Sequence, residues 1–149
     1  MSEAFTKSGT SIPFIGLGTW DMQGSTCSSI VQEALEMGYR HIDGASMYEN
    51  ESEVGKGVSD SGVDREEIFI TTKINTTGWT PSSGNGPPLQ NKDIVKHFEK
   101  SLKDLQTDYV DLLLIHWHKF ETNLGDMLEI LYKLKDAKKI KEVGVANFN

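Results

Sequence analysis

Apolar and polar residues alternate along the chain in two rhythms, one of strands and one of helices. FIGLGTW (Phe14 to Trp20) is a short apolar run interrupted by glycine, and it predicts a strand. SSIVQEALEMG (Ser28 to Gly38) follows with Ile30, Val31, Ala34, Leu35 and Met37 at helical spacing. RHIDGA (Arg40 to Ala45) predicts a second strand, and NESEVGKGVSDSG (Asn50 to Gly62) a short helix that its last glycine closes. EIFITTKI (Glu67 to Ile74), β-branched and aromatic, predicts a third strand. A loop rich in Gly, Ser, Thr and Pro then leads into NKDIVKHFEKSLKDLQ, where Ile94, Val95, Phe98, Leu102 and Leu105 make one apolar face. YVDLLLIHW (Tyr109 to Trp117) is nearly continuous apolar, as a strand buried on both sides should be. An amphipathic helix, DMLEILYKLKDAKK, and a fifth strand, KEVGVANF, complete the series.

This alternation with short connections predicts an α/β fold of parallel βαβ units with right-handed crossovers. Two architectures share the pattern, an open doubly wound sheet and the (β/α) barrel of eight units, which needs about 200 residues or more. With 149 residues, the barrel alternative is an incomplete one, with about the first five strands and four helices in a single domain, 1–149. The doubly wound dinucleotide fold has a test at its first βα turn. There Gly16-Leu-Gly18 is followed by Thr19, Trp20 and Asp21 in place of the third glycine, so the phosphate-binding fingerprint fails.

Composition narrows the function classes. The chain is 37% hydrophobic and 25% charged, as ordinary globular proteins are. Its net charge is -7 and its fifteen Lys and Arg are scattered, so a nucleic-acid partner is not expected. The densest cations, Lys135, Lys138, Lys139 and Lys141, fall at a predicted helix end, where they suit the helix dipole. The single cysteine, Cys27, excludes an internal disulfide, suits a reducing compartment and reads as a packed or half-exposed thiol. The start of the chain lacks the basic and apolar segments of a leader, and no apolar run is long enough to cross a bilayer, so a cytoplasmic protein without a membrane partner is expected. The glycosylation sequons at Asn50 and Asn75 then read as chance matches.

Polar residues at the C-terminal ends of apolar strands carry the main chemical signal, because those ends meet at one mouth of a barrel. Asp43 ends RHID, Lys73 ends FITTK and His116 ends DLLLIH, while Tyr48 lies just past the second strand. Period-two alternation groups His116 with Leu112 and Leu114, on the barrel interior. A lysine beside a phenol favours the phenolate and so makes Tyr48 a usable acid. Asp43 would hold Lys73, and His116 would polarise a substrate carbonyl. Each residue alone has a plainer reading: Asp43 and Lys73 as a structural ion pair, Tyr48 as a loop aromatic, His116 as a core histidine. Their joint placement at successive strand ends favours carbonyl reduction. His116 and His118 would point the same way, but no third ligand is evident and no metal is expected. His41 and His97 read as structural or surface residues.

These residues resemble a known family. GYRHIDGASMYENESEVGKG is similar to the aldo-keto reductase signature around the catalytic Asp and Tyr, TTKI to the strand bearing its Lys, and YVDLLLIHW to the strand bearing its His. The resemblance runs from FIGLGTW, like the family's first strand, to VGVANFN, like its fifth, and the residues before it correspond to a small N-terminal hairpin. It implies a TIM-type (β/α) barrel and NADPH-dependent reduction of aldehydes and ketones. Tyr48 would be the proton donor, Lys73 and Asp43 its tuning pair, and His116 the residue that orients the carbonyl. Asp43, Thr19, Trp20 and Asn147 match cofactor-binding positions, and Trp20, Tyr48, Trp79, His116 and Trp117 substrate-binding ones. Ala146 stands where the family often has Ser, and His118 where Pro usually follows the His-Trp pair.

Two functional classes follow. The chain is a fragment or subunit of an oxidoreductase acting on a small carbonyl compound, or it is a non-catalytic polypeptide that works only by association. In both, the first and fifth strands would be open sheet edges, so self-association or a second chain is expected to cover them.

Overall fold

The computed structural model describes residues 3–6, 8–117 and 123–148. A hairpin of β1 (Glu3–Phe5) and β2 (Ser11–Pro13) is antiparallel, with Glu3 opposite Pro13. There follow β3 (Leu17–Gly18), α1 (Gly24–Glu36), β4 (His41–Asp43), a 3-10 turn (Ser46–Tyr48), α2 (Glu51–Asp60) and β5 (Phe69–Ile74). α3 (Ile94–Asp104), β6 (Val110–Ile115), α4 (Leu124–Asp136) and β7 (Ile140–Val145) complete the described elements.

The five strands β3 to β7 pair in sequence order, and all four pairings are parallel. A doubly wound sheet reverses its strand order at a switch point. This sheet does not, and it thereby takes the barrel course. One helix follows each of the first four strands, and α1, α2, α3 and α4 pack in that order against one another. The principal core lies between sheet and helices. Ile42, Ile70, Ile74, Leu113 and Ile115 from the strands meet Val31, Leu35, Phe98 and Leu131 from the helices, all buried. The opposite parity, Asp43, Thr71, Lys73, Leu112 and Leu114, lines the concave face. There Leu112 and Leu114 are only half-buried, unlike the expected strand buried on both sides, because a barrel interior is filled by layers from facing strands.

Two differences from the sequence reading have local causes. β3 is two residues long rather than seven. At Gly16 the backbone passes so close to the His41 ring that a Cβ there would come within 2.8 Å of its Nδ1, and Phe14 and Ile15 are exposed. Met37, counted on the apolar face of α1, caps that helix and is 75% exposed. The buried face is Cys27, Ser28, Val31, Ala34 and Leu35. Burial, aided by the charge of Glu53, pushes the Cys27 thiol up to about 11, which leaves it an inert packing group.

Asp111, buried on β6, ties the lower rim together. It accepts from Arg65 Nη2 at 2.9 Å, from the Ile70 amide at 2.9 Å and from Lys141 Nζ at 2.7 Å. Both cations lie over the Tyr109 ring, at 4.1 and 4.5 Å. The lysine cluster is thus ion-paired: Lys135, in the last turn of α4, with Glu142, Lys139 just past that helix with Glu99, and Lys141, which lies on β7 rather than at the helix end, with Asp111. Glu142 on β7 also accepts from the hydroxyls of Ser8 and Thr10. Burial opposes its charge, but those hydroxyls and Lys135 outweigh burial and hold its carboxyl at about 2, which ties the hairpin to the base of β7.

Two glycines let α2 approach both neighbours. A Cβ at Gly57 would lie 2.5 Å from the Ser28 carbonyl and 2.7 Å from Val31 Cβ, both on α1, and one at Gly55 would lie 2.5 Å from the Asp104 carbonyl of α3. Helix propensity favours alanine over glycine here, so only the close approach explains both residues. Gly57→Ala should therefore destabilise the chain by about 1–3 kcal/mol despite its better propensity. Denaturant unfolding checks this, and an unchanged or raised midpoint would refute the packing argument.

Candidate active site

The register of the sheet brings three strand ends to one rim. Asp43 pairs with Thr71 across β4 and β5, and Lys73 with Leu114 across β5 and β6, so Asp43, Lys73 and the His116 that follows β6 share the upper edge. Lys73 is buried there, and its ammonium has three protons and three acceptors. It donates to Asp43 Oδ1 at 2.8 Å, to the Gly44 carbonyl at 2.9 Å and to Tyr48 Oη at 3.3 Å. The desolvation cost of burying that charge is offset by a full set of partners, one of them a carboxylate.

Tyr48 owes its place to the 3-10 turn that returns the chain over the mouth. Ser46 pins the turn: its hydroxyl donates to the Lys73 carbonyl at 3.0 Å and accepts from the Asn75 amide at 3.2 Å. Gln23 Nε2 donates to the Tyr48 carbonyl at 3.1 Å, and Glu49 closes the turn with a left-handed φ of 57°. Glu49 also holds the loop carrying Trp79, accepting from the Ser82 amide at 3.0 Å. Within that loop Asn75 Nδ2 donates to the Trp79 carbonyl at 2.6 Å, and the Thr76 hydroxyl ties it to the Trp117 carbonyl beyond β6.

His116 is buried, with its amide donating to the Ile74 carbonyl at 3.1 Å. Its ring lies edge-on to Tyr48, with centroids 5.7 Å apart, and stacks on Trp117. Burial first, and the nearby Lys73 charge second, lower its pKa to about 4 against the weaker pull of Asp43. The imidazole is therefore neutral at physiological pH, with an N–H to donate. Trp20, Met47, Tyr48, Thr77, Trp79, His116 and Trp117 line a largely apolar pocket of about 440 Å³ above these groups.

The structure thus brings Asp43, Tyr48, Lys73 and His116 together and sets Trp20, Trp79 and Trp117 around them. Two of the candidate cofactor positions bond to the backbone of the same rim. Thr19 is fully buried, and its hydroxyl donates to the Asp43 carbonyl at 3.2 Å, so its side chain braces the rim rather than facing the opening. Asn147, at the end of β7, donates through Nδ2 to the His116 carbonyl at 2.8 Å. Met47, Thr77 and the pinning residue Ser46 were not singled out from the sequence, where nothing but their nearness to Tyr48 and Trp79 marks them. Among the described residues no cluster of His, Cys, Asp or Glu is arranged to hold a metal ion, and His118 lies outside them. Nor is any described helix long and apolar enough to cross a membrane.

The sequence profile of the Aldo/keto reductase family matches residues 14–149. The chain belongs to that family. Among aldo-keto reductases, a Bacillus subtilis protein named glyoxal reductase is 41% identical over 141 residues, 94% of this chain and 47% of that relative. A Brucella melitensis aldo/keto reductase superposes with a TM-score of 0.87 at 38% identity, covering 99% of this chain and 54% of that one. A Bombyx mori aldo-keto reductase, solved in complex with NADP, superposes with a TM-score of 0.84 at 29% identity, over 99% of this chain and 51% of its own. This aldo-keto reductase chain spans about half the length of the curated relatives it matches. Its five parallel strands and four helices correspond to part of their barrel.

The His116 environment has a measurable sign. The folded chain binds the imidazole proton more weakly than the unfolded chain, where the pKa is about 6.5. The stability contributed by neutral His116 is therefore complete above that value and lost as pH falls towards 4. A ring titration followed by NMR should have its midpoint near pH 4, and a midpoint at the free-histidine value would remove the neutral donor.

Proposed function

We propose that this chain carries the proton-donating part of an NADPH-dependent reductase that converts aldehydes and ketones to alcohols. The observation that carries this reading is the Tyr48 hydroxyl 3.3 Å from the Lys73 ammonium, with neutral His116 against the same phenol ring. NADPH, when bound, supplies the hydride for the carbonyl carbon. Tyr48 gives its phenolic proton to the carbonyl oxygen, and the Lys73 ammonium stabilises the phenolate left behind. Asp43 keeps that ammonium in place through the 2.8 Å ion pair. The His116 imidazole donates an N–H to the same oxygen and polarises the carbonyl before the proton moves. Tyr48 regains its proton from solvent after the alcohol leaves.

The residues present fit the reacting end of the cofactor. Asn147 spends its amide nitrogen on the His116 carbonyl and so keeps its amide oxygen as an acceptor at the rim, suited to a carboxamide N–H. Asp43 and Trp20 stand at the same mouth. Lys73 is committed to Asp43, so the phosphates need residues other than those around Tyr48. The apolar walls of Trp20, Trp79 and Trp117 suit an uncharged aldehyde or ketone, in keeping with a relative named for reducing glyoxal. One buried thiol and no disulfide suit a reducing, cytoplasmic setting.

A second reading has its own observation. β3 and β7 each pair with one strand among the described residues, and the concave face at Leu112 and Leu114 is half covered. On that reading the chain is non-catalytic by itself and acts through a second copy or a second polypeptide laid on those edges.

Cofactor titration and one substitution separate the two. Tyr48→Phe should lower aldehyde reduction by roughly 10²–10⁴-fold while tryptophan quenching by NADPH stays nearly the same. Unchanged turnover would remove Tyr48 as the donor. Saturating NADPH that neither quenches fluorescence nor raises the melting temperature of the purified chain would select the second reading.

A further inference from the structure

Asn50 is fully buried at the N-cap of α2, two residues after Tyr48, yet its side chain makes no bond to that helix. An asparagine there ordinarily accepts from the free helix amides through Oδ1. Here Oδ1 is buried with no partner among the described residues, and Nδ2 does the binding. It donates to the Thr19 carbonyl at 2.7 Å and to the Met22 carbonyl at 2.8 Å. Both partners are acceptors, so only the amide nitrogen can serve them, and the orientation of the side chain is fixed by its neighbours.

Those two carbonyls bracket Trp20 and Asp21. The segment is a tight turn, with the Met22 amide donating back to the Thr19 carbonyl at 3.4 Å and Asp21 at a left-handed φ of 62°. A non-glycine residue in that region is held there by its surroundings. Trp20 stands at the crest, half-exposed, its ring 4.9 Å from that of Tyr48 at 67°.

We propose that Asn50 is a positioning residue that sets the Trp20 wall of the pocket: by clamping the carbonyls on both sides of the turn, it fixes the indole against Tyr48 and limits the size of carbonyl compound admitted. The size limit rests on the reductase reading, the clamp on the geometry alone. Asn50→Asp keeps the shape, removes both N–H donors and sets oxygen against two carbonyl oxygens.

The test has an arm for each. In a Trp79→Phe, Trp117→Phe background, where Trp20 is the remaining tryptophan, Asn50→Asp should raise acrylamide quenching and red-shift the emission. In the otherwise native chain the same substitution should raise KM for a bulky apolar aldehyde roughly tenfold while kcat for a two-carbon aldehyde stays nearly the same. Equal quenching with and without the substitution overturns the clamp. Equal loss on both aldehydes shows general damage to the site and overturns the size-limiting role. If Asn50→Asp does not fold, hydrogen exchange of the native Asn50 side-chain amide decides. Protection well above that of exposed Asn123 supports the clamp, and exchange at the same rate overturns it. A native protein without reductase activity sinks the reductase reading, while quenching and exchange still judge the clamp.

Discussion

A buried ammonium with three protons needs three acceptors in fixed directions, and that requirement on Lys73 organises the upper rim of the sheet. Asp43 comes from the end of β4, Gly44 from the residue after it and Tyr48 from the turn beyond. None of these could be moved by a residue without leaving the buried ammonium short of a partner, which is costly. The demand for hydrogen bonds thus joins the strand ends to the turn as firmly as apolar packing joins strands to helices. Of the three acceptors, the tyrosine alone carries a proton of its own.

The remainder of the fold holds that rim still. At the lower edge Asp111 gathers Arg65, the Ile70 amide and Lys141, so β5, β6 and β7 are locked in register far from the mouth. Register errors of one residue would turn Lys73 to the helix side. Along the outer face the two glycines of α2 bring that helix against α1 and α3, and α2 begins directly after the turn that carries Tyr48. Helix packing is in this way connected to the placement of a phenol. The hydroxyls and carboxylates that join these parts are buried in pairs: the Thr72 hydroxyl donates to Glu51 at 2.6 Å, and burial raises the carboxyl of Glu51 above its usual range despite Thr72 and Ser101.

His116 shows how a neighbour's charge and a lack of water select one protonation state. The histidine is uncharged because it is buried and because Lys73 is near, so the cation that bonds the Tyr48 hydroxyl also helps keep the imidazole neutral. A charged imidazole would compete for Asp43 and repel the ammonium. With neutral His116, the Lys73–Asp43 pair stands beside the Tyr48 hydroxyl, with the ammonium bonded to both partners beneath the apolar walls of the pocket.

The sequence by itself determined the strand and helix order, the parallel course, the three polar residues at the strand ends and the tyrosine just past one of them, because period and composition are local properties. Asp43, Lys73 and His116 were legible as polar endings of apolar strands, and Tyr48 as their near neighbour. Sequence-order pairing, which separated barrel from doubly wound sheet, had no local signature, since the same βαβ pattern serves both. The length of β3 was not legible either, because it depends on how closely His41 passes Gly16. Asn50 appeared in the sequence as a chance sequon and the start of a helix, and Glu51 as a residue within that helix. Their roles rest on partners as distant in the chain as Thr19 and Thr72, and only the tertiary structure decides where buried donors and acceptors find each other.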